Sequence, residues 1–270
     1  MVFRWLHRRG AIFLPALELG TLISILVVAG GVLLFAELME MVQSEPHAFD
    51  RAVLLAFRDP ADVSDPIGPV WLEIIFRDIT SLGGATVRTL MTAAVRGFLL
   101  VDGKRAAALF VLASVAGGAV LSTILKLAIA RPRPDLVPHL VDVHTASFPS
   151  GHAMLSAVVY LTLGGLLSRV EGPRRMKIYV LSLAIILTVL IGISRVYLGV
   201  HWPTDVLAGW CAGAAWAMLC WRIALALQRR GACVRLREQP FAIAQRRLER
   251  PQRLHLELDR GRARLRFGEL

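Results

Sequence analysis

The chain has 270 residues, 56% of them hydrophobic and 19% charged, with a mean hydropathy of +0.59. That is too apolar for a soluble globular domain, and it excludes intrinsic disorder. The formal net charge of +11 does not indicate nucleic-acid binding, because the basic residues sit between apolar blocks and in the C-terminal tail, where membrane topology accounts for them.

The apolar residues gather into blocks of about 17–25 residues, the length of a membrane-crossing helix. The first, about Ala11–Ala36, follows Arg4, Arg8 and Arg9. It is too long for a signal-peptide core, and Glu37-Leu-Met-Glu40 is no small-residue cleavage site, so an uncleaved span is expected. Glu18 would reach the headgroups near its cytoplasmic end. Residues 37–81 are polar and turn-rich (Asp59-Pro60, Asp65-Pro66, Gly68-Pro69). Within them His47–Phe57 and Trp71–Ile79 carry apolar residues at helical spacing, which predicts short helices on the outer membrane surface. The second block, about Leu82–Val101, carries Arg88 and Arg96 close enough to its ends to snorkel. The third, Ala106–Ala130, is rich in small residues and stops at Arg131-Pro-Arg-Pro134, where proline removes a helix donor. The fourth is about His152–Leu167, the fifth Met176–Ile193 and the sixth Pro203–Leu227. Trp202 suits the interface. Cys211 and Cys220 lie in the sixth block; with Cys233 they form neither a disulfide framework nor a metal site.

The expected fold is all-α: a polytopic membrane protein with a six-transmembrane-helix bundle and short interfacial helices over 1–227, then a small cytoplasmic tail, 228–270. Six spans put both termini on one side. Of 31 basic residues, 21 fall in segments then placed inside, twelve of them after Gln228. The positive-inside rule therefore places both termini in the cytoplasm. The tail has twelve arginines against five acids. It would rest on anionic headgroups or form a partner-binding module, and the alternation around Leu254–Leu258 and Ala263–Phe267 allows a hairpin.

Under this topology three polar clusters share the outer face. They are Lys126-Leu-Ala-Ile-Ala-Arg-Pro-Arg133-Pro134, Phe148-Pro-Ser150-Gly151-His152, and Ser194-Arg195 through His201-Trp-Pro-Thr-Asp205. Lys126, Arg133 and Arg195 supply three cations, and arginine offers paired donors that match phosphate oxygens. Ser150 stands where an N-cap would, with the free N–H groups of Gly151 and His152 opening a helix, a ready anion site. His201 and Asp205 at i, i+4 share a face, so the carboxylate can hold one ring nitrogen and leave the other as a nucleophile. His152 is free to donate a proton to a leaving oxygen. Singly, each of these has a plain structural reading: a cation at a helix end is an interface anchor, and His201 with Asp205 is a surface pair.

Together, the three motifs resemble the type 2 phosphatidic acid phosphatase (PAP2) superfamily, with no departure at any motif position across residues 126–205. The six-span layout extends the resemblance to about residues 10–227, and the tail is not covered. The resemblance implies a phosphatase with no metal or other cofactor. His201 would be the nucleophile oriented by Asp205, and His152 the general acid. Lys126, Arg133, Ser150, Gly151 and Arg195 would form the phosphate cradle. The expected substrates are lipid phosphates or diphosphates, such as phosphatidate, phosphatidylglycerol phosphate or undecaprenyl diphosphate. They would be hydrolysed at the outer face of a cytoplasmic membrane. Competing readings are phosphotransfer to an acceptor other than water, a vanadate-dependent haloperoxidase, and a non-catalytic lipid-binding pseudoenzyme. Arg131, His139, His144 and Tyr197 flank the motifs as further candidates for substrate contact.

Overall fold

A computed structural model describes residues 19–43, 48–143, 145–169 and 173–248. They form eight helices: α1 Leu19–Gln43, α2 Ala48–Leu55, α3 Val70–Leu82, α4 Ala85–Val101, α5 Arg105–Ile129, α6 Gly151–Leu167, α7 Arg174–Tyr197 and α8 Pro203–Leu248. The only extended pairing among the described residues is an isolated antiparallel bridge between Arg58 and Pro66. The chain divides into two units, Met1–Ala224 and Leu225–Leu270. Glu18, the basic start and the hairpin anticipated at 254–267 lie outside the described residues.

The chain is a multi-pass membrane protein. Among the described residues, four helices are long and apolar enough to cross a bilayer: Gly20–Val42, Arg105–Ile129, Arg174–Tyr197 and Pro203–Gln228. The pair α3 and α4, bent by 45° at a short break, makes a fifth candidate if read as one broken span. Leu26, Leu33, Leu90, Leu109, Leu127 and Ile186 all turn outward. Exposed leucines in such numbers have no place against water and suit lipid. α6 is different. It is apolar but only 17 residues long. Protein surrounds it along its length, from Ala153 and Met154 through Ala157–Tyr160 to Gly164. It packs between α5 and α7.

The structure corrects the expected end of the first span. α1 continues through Glu37 and Glu40 to Gln43 rather than stopping near Ala36. The reason is packing: Leu38 and Val42 bury against Phe148 and Ala208, at about 1.5–3 kcal/mol for each side chain withdrawn from water, while both glutamates stay exposed. The helix expected at 71–79 is present as α3 and the block expected at 82–101 as α4, and the two meet at a 45° bend. The break falls at Gly83-Gly84, where a Cβ on Gly83 would collide with Ile191 of α7 and lie 3.2 Å from the His152 ring, so glycine allows this close approach. The α3–α4 corner is thereby pressed against the start of α6.

Close approach also fixes α8 against α6. A methyl group at Gly209 would sit 2.8 Å from the Ser150 carbonyl oxygen and 2.9 Å from Ala153 Cβ. Gly209→Ala should therefore lower stability in detergent by about 1–3 kcal/mol, read as a lower thermal unfolding midpoint. Gly97→Ala, at an exposed position with nothing within 4 Å, is the control and should leave the midpoint unchanged or raise it slightly. Equal midpoints for the two variants would contradict this packing.

Candidate active site

The loops and helix ends that carry the three motifs are tied together by the backbone. The Ser147 N–H donates to the Arg131 carbonyl at 2.9 Å, and the Ser150 N–H donates to the Asp205 carbonyl at 2.9 Å. α5 ends at Ala130, whose φ of 45° puts a non-glycine residue in the left-handed region. That conformation costs about 1–2 kcal/mol and turns the chain from Lys126 into the Arg131–Pro134 loop. Ser150 caps α6, its side chain accepting from the Ala153 N–H. The Phe148-Pro149 peptide is cis.

A cavity of about 450 Å³ opens at this end of the bundle. Lys126, Arg133, Gly151, His152, Arg195 and His201 line it. Six of the eight expected site residues thus meet around one space. The other two stand behind the wall: Ser150 is fully buried under the α6 cap, and Asp205 is fully buried behind His201. Arg195 bonds Thr80 Oγ1 at 3.0 Å through Nη1, while its Nε is buried without a hydrogen-bond partner. An unsatisfied buried guanidinium N–H costs about 1–3 kcal/mol or more, and an anion in the cavity would relieve it. Lys126 Nζ donates to the Ala146 carbonyl. Arg133 is held by the carbonyls of Thr145 at 2.8 Å and Val200 at 2.6 Å.

The groups around His201 assign its tautomer. Nδ1 lies 3.4 Å from Asp205 Oδ2 and 3.3 Å from Ser147 Oγ. The Ser147 hydroxyl itself donates to Asp205 Oδ2, so its oxygen is free to accept from Nδ1–H. Nε2 faces Arg133 Nη1 at 3.3 Å, a donor that requires a lone pair on that nitrogen. The proton therefore sits on Nδ1, and Nε2 presents its lone pair to the cavity. Burial pushes the His201 imidazolium down to about 3, against the opposing pull of the Asp205 hydrogen bond and charge.

The residues that flank the motifs take other roles. Arg131, His139 and Tyr197 do not line the cavity. Arg131 bridges two carboxylates, with Nη1 on Asp205 at 2.6 Å and Nη2 on Asp50 at 2.8 Å. Tyr197 is buried, stacks on Phe76 with centroids 4.1 Å apart and donates to the Ile67 carbonyl. His139 bonds the Pro134 carbonyl at 2.7 Å. His144 lies outside the described residues. Trp202, expected at the interface, is 2% exposed; it packs its ring over Arg131 and donates to the Pro132 carbonyl. Sequence reasoning did not single out Thr80, Ser81, Gly84, Asp142 and Thr145 in the wall, nor Ser147, Thr204 and Asp50 behind it. Ser147 and Thr204 adjoin motif residues, which was the available signal; Asp50 had none. Among the described residues no three His, Cys, Asp or Glu side chains group as metal ligands.

The profile of the PAP2 superfamily matches residues 107–229. Phosphatidylglycerophosphatase B of Bacillus subtilis (strain 168) is 35% identical over 173 residues, covering 64% of this chain and 79% of that protein. An undecaprenyl-diphosphatase of Sulfolobus acidocaldarius is 39% identical over 103 residues, 35% of this chain and 44% of that protein. The crystal structure of a transmembrane PAP2-type phosphatidylglycerolphosphate phosphatase from Bacillus subtilis superposes with a TM-score of 0.65 at 30% identity. It covers 73% of this chain and 96% of the other.

The depressed basicity of His201 has a direct readout. In ¹⁵N-histidine-labelled protein without substrate, the resonances lost in His201→Gln should report a neutral ring with the proton on Nδ1 down to pH 5. A group neutral in the fold but chargeable when unfolded also makes stability fall as pH drops from 6.5 toward 3. Titration of His201 near 6.5 would contradict so complete a burial of the ring.

Proposed function

The chain belongs to the PAP2 superfamily and is a membrane phosphatase of that family, and we propose that it hydrolyses lipid phosphates or diphosphates through a phosphohistidine on His201. The observation that carries this reading is the cavity itself. Three cations, two imidazoles and the start of α6 surround it, and one buried guanidinium N–H has no partner. A phosphate dianion satisfies all of these at once. We assign the activity to residues 1–227.

Lys126, Arg133 and Arg195 hold the phosphate oxygens with the N–H groups at Gly151 and His152, and Ser150 keeps that helix start in shape. His201 Nε2 then attacks phosphorus. The bond from phosphorus to the leaving oxygen breaks, its electron pair goes to that oxygen, and His152 delivers the proton. The phosphate brings the negative charge that an imidazolium at His152 needs beside three cations. Asp205 stays ionised and accepts from Nδ1–H while the ring gains positive charge. In the second half, water attacks phosphorus and His152 takes its proton. The phosphorus–nitrogen bond breaks and its pair returns to Nε2. Monoester hydrolysis is slow enough in water that roughly 20 kcal/mol must come from such positioning and charge stabilisation. Fixed cations in a buried site supply this without a metal.

The placement of the site suits a lipid substrate. Counting the bent α3–α4 pair once and α6 as a short crossing gives six passes, with Lys126, Gly151 and Arg195 at one end of α5, α6 and α7. Lys104, Arg105, Arg174, Arg175 and Lys177 lie at the other end of the same helices, which the positive-inside rule assigns to the cytoplasm. The cavity then faces outward beside the lipid, where a headgroup enters while its chain remains in the bilayer. Phosphatidylglycerol phosphate and undecaprenyl diphosphate, the substrates in the relatives' names, and phosphatidate are the candidates.

Purified protein in detergent should release phosphate from at least one of these lipids. His201→Ala should lower that rate by about 10³-fold or more, and EDTA should leave it intact. Full activity in His201→Ala, or loss in EDTA reversed by Mg²⁺, would contradict the mechanism.

A further inference from the structure

We propose that Asp50, in the short helix α2, is a positioning residue for phosphoryl transfer. It holds the start of α8 and the Arg131 guanidinium so that Asp205 keeps its charge turned toward His201. The proposal rests on His201 being the nucleophile. Asp50 lies outside every motif and outside the stretch matched by the family profile.

The start of α8 lacks a cap of its own. Trp202 stands in the N-cap position and has no side-chain acceptor; the Asp205 and Val206 N–H groups turn back to its carbonyl, and the Thr204 N–H needs an acceptor from elsewhere. Asp205, at the third helical position, reaches back to the Trp202 N–H at 3.0 Å, half of a capping box. Asp50, 154 residues before Thr204 in the chain, stands in for the missing N-cap side chain: Oδ1 accepts from the Thr204 N–H at 2.9 Å and Oδ2 from the Thr204 hydroxyl at 2.7 Å. Pro203 at the first helical position has no N–H and needs no acceptor.

The same carboxylate controls charge. Asp50 and Asp205 are both fully buried and share one cation, Arg131, which is 6% exposed. Two carboxylates against one guanidinium leave one negative charge in the cluster. That charge lies behind a ring that turns cationic as Nε2 bonds to phosphorus. Without Asp50, Arg131 would neutralise Asp205 alone, and its second N–H pair would be left without an acceptor in a buried site. Four groups hold Asp205 in place, and one of them, Arg131, is itself held by Asp50.

Rapid mixing with whichever of the three candidate lipids the wild-type protein turns over, carrying ³²P in the phosphate that is released, then quenching in alkaline detergent, reads the rate of protein labelling. Asp50→Asn should slow labelling by roughly 10–100-fold, the range for a group that orients another. The inhibition constant of inorganic phosphate should stay within about twofold, since the cradle is untouched. Arg131→Lys keeps the charge but loses the fork between the carboxylates, and it should slow labelling comparably. It also serves as the test if Asp50→Asn does not fold. Asp50→Asn/Arg131→Gln, which removes one charge of each sign, should label no more slowly than the slower single variant, whereas independent damage would multiply. Wild-type labelling rates in Asp50→Asn or Arg131→Lys would overturn the proposal, as would phosphate affinity falling in step with the rate. No label in the wild-type protein while it turns that lipid over would instead overturn the phosphohistidine reading, and this inference with it.

Discussion

A carboxylate sealed from solvent must be matched by donors, and the site follows from how Asp205 meets that requirement. Its Oδ2 accepts from the Ser147 hydroxyl, the Trp202 N–H and His201 Nδ1–H, and its Oδ1 accepts from Arg131. Each donor comes from a different constraint: the loop before α6, the start of α8, the ring itself, and the turn after α5. Satisfying one buried charge therefore draws three separate stretches of chain together. The imidazole that results has one tautomer and one free lone pair.

The cations in front of that ring obey the opposite logic. Arg133 is braced by backbone carbonyls and Lys126 by the Ala146 carbonyl, whereas Arg195 keeps an unpaired Nε. Behind His201 the polar atoms are paired; in front of it, positive charge is held in place and left partly unsatisfied. That asymmetry marks which side receives an anion. It also explains the bent α3–α4 pair: the Gly83-Gly84 corner brings Thr80 to Arg195 and closes the cavity wall.

The polar residues that meet at the cavity were readable because each is a residue type with few roles beside a bilayer, set at fixed distances along the chain. Helix positions followed from apolar runs for the same reason. What escaped sequence reading depends on partners far apart. Asp50 is an ordinary first-turn acid in an amphipathic octapeptide until the fold sets it on Thr204 and Arg131. Arg131 stood outside the motif positions with no role of its own, because its bridging role needs two carboxylates 155 residues apart to meet. Trp202 looked interfacial because nothing local shows that its ring covers that arginine. The extension of α1 past Glu37 was hidden because Leu38 and Val42 find their partners only in the folded bundle.

The central claim is that His201 Nε2 is the atom that takes the phosphoryl group. Mass spectrometry of protein quenched in alkali during turnover of ³²P-labelled lipid phosphate, with isomer-resolved identification of the phosphohistidine, tests it directly. The account predicts phosphate on Nε2 of His201. Phosphate on Nδ1, on His152, or absent during sustained turnover would contradict it.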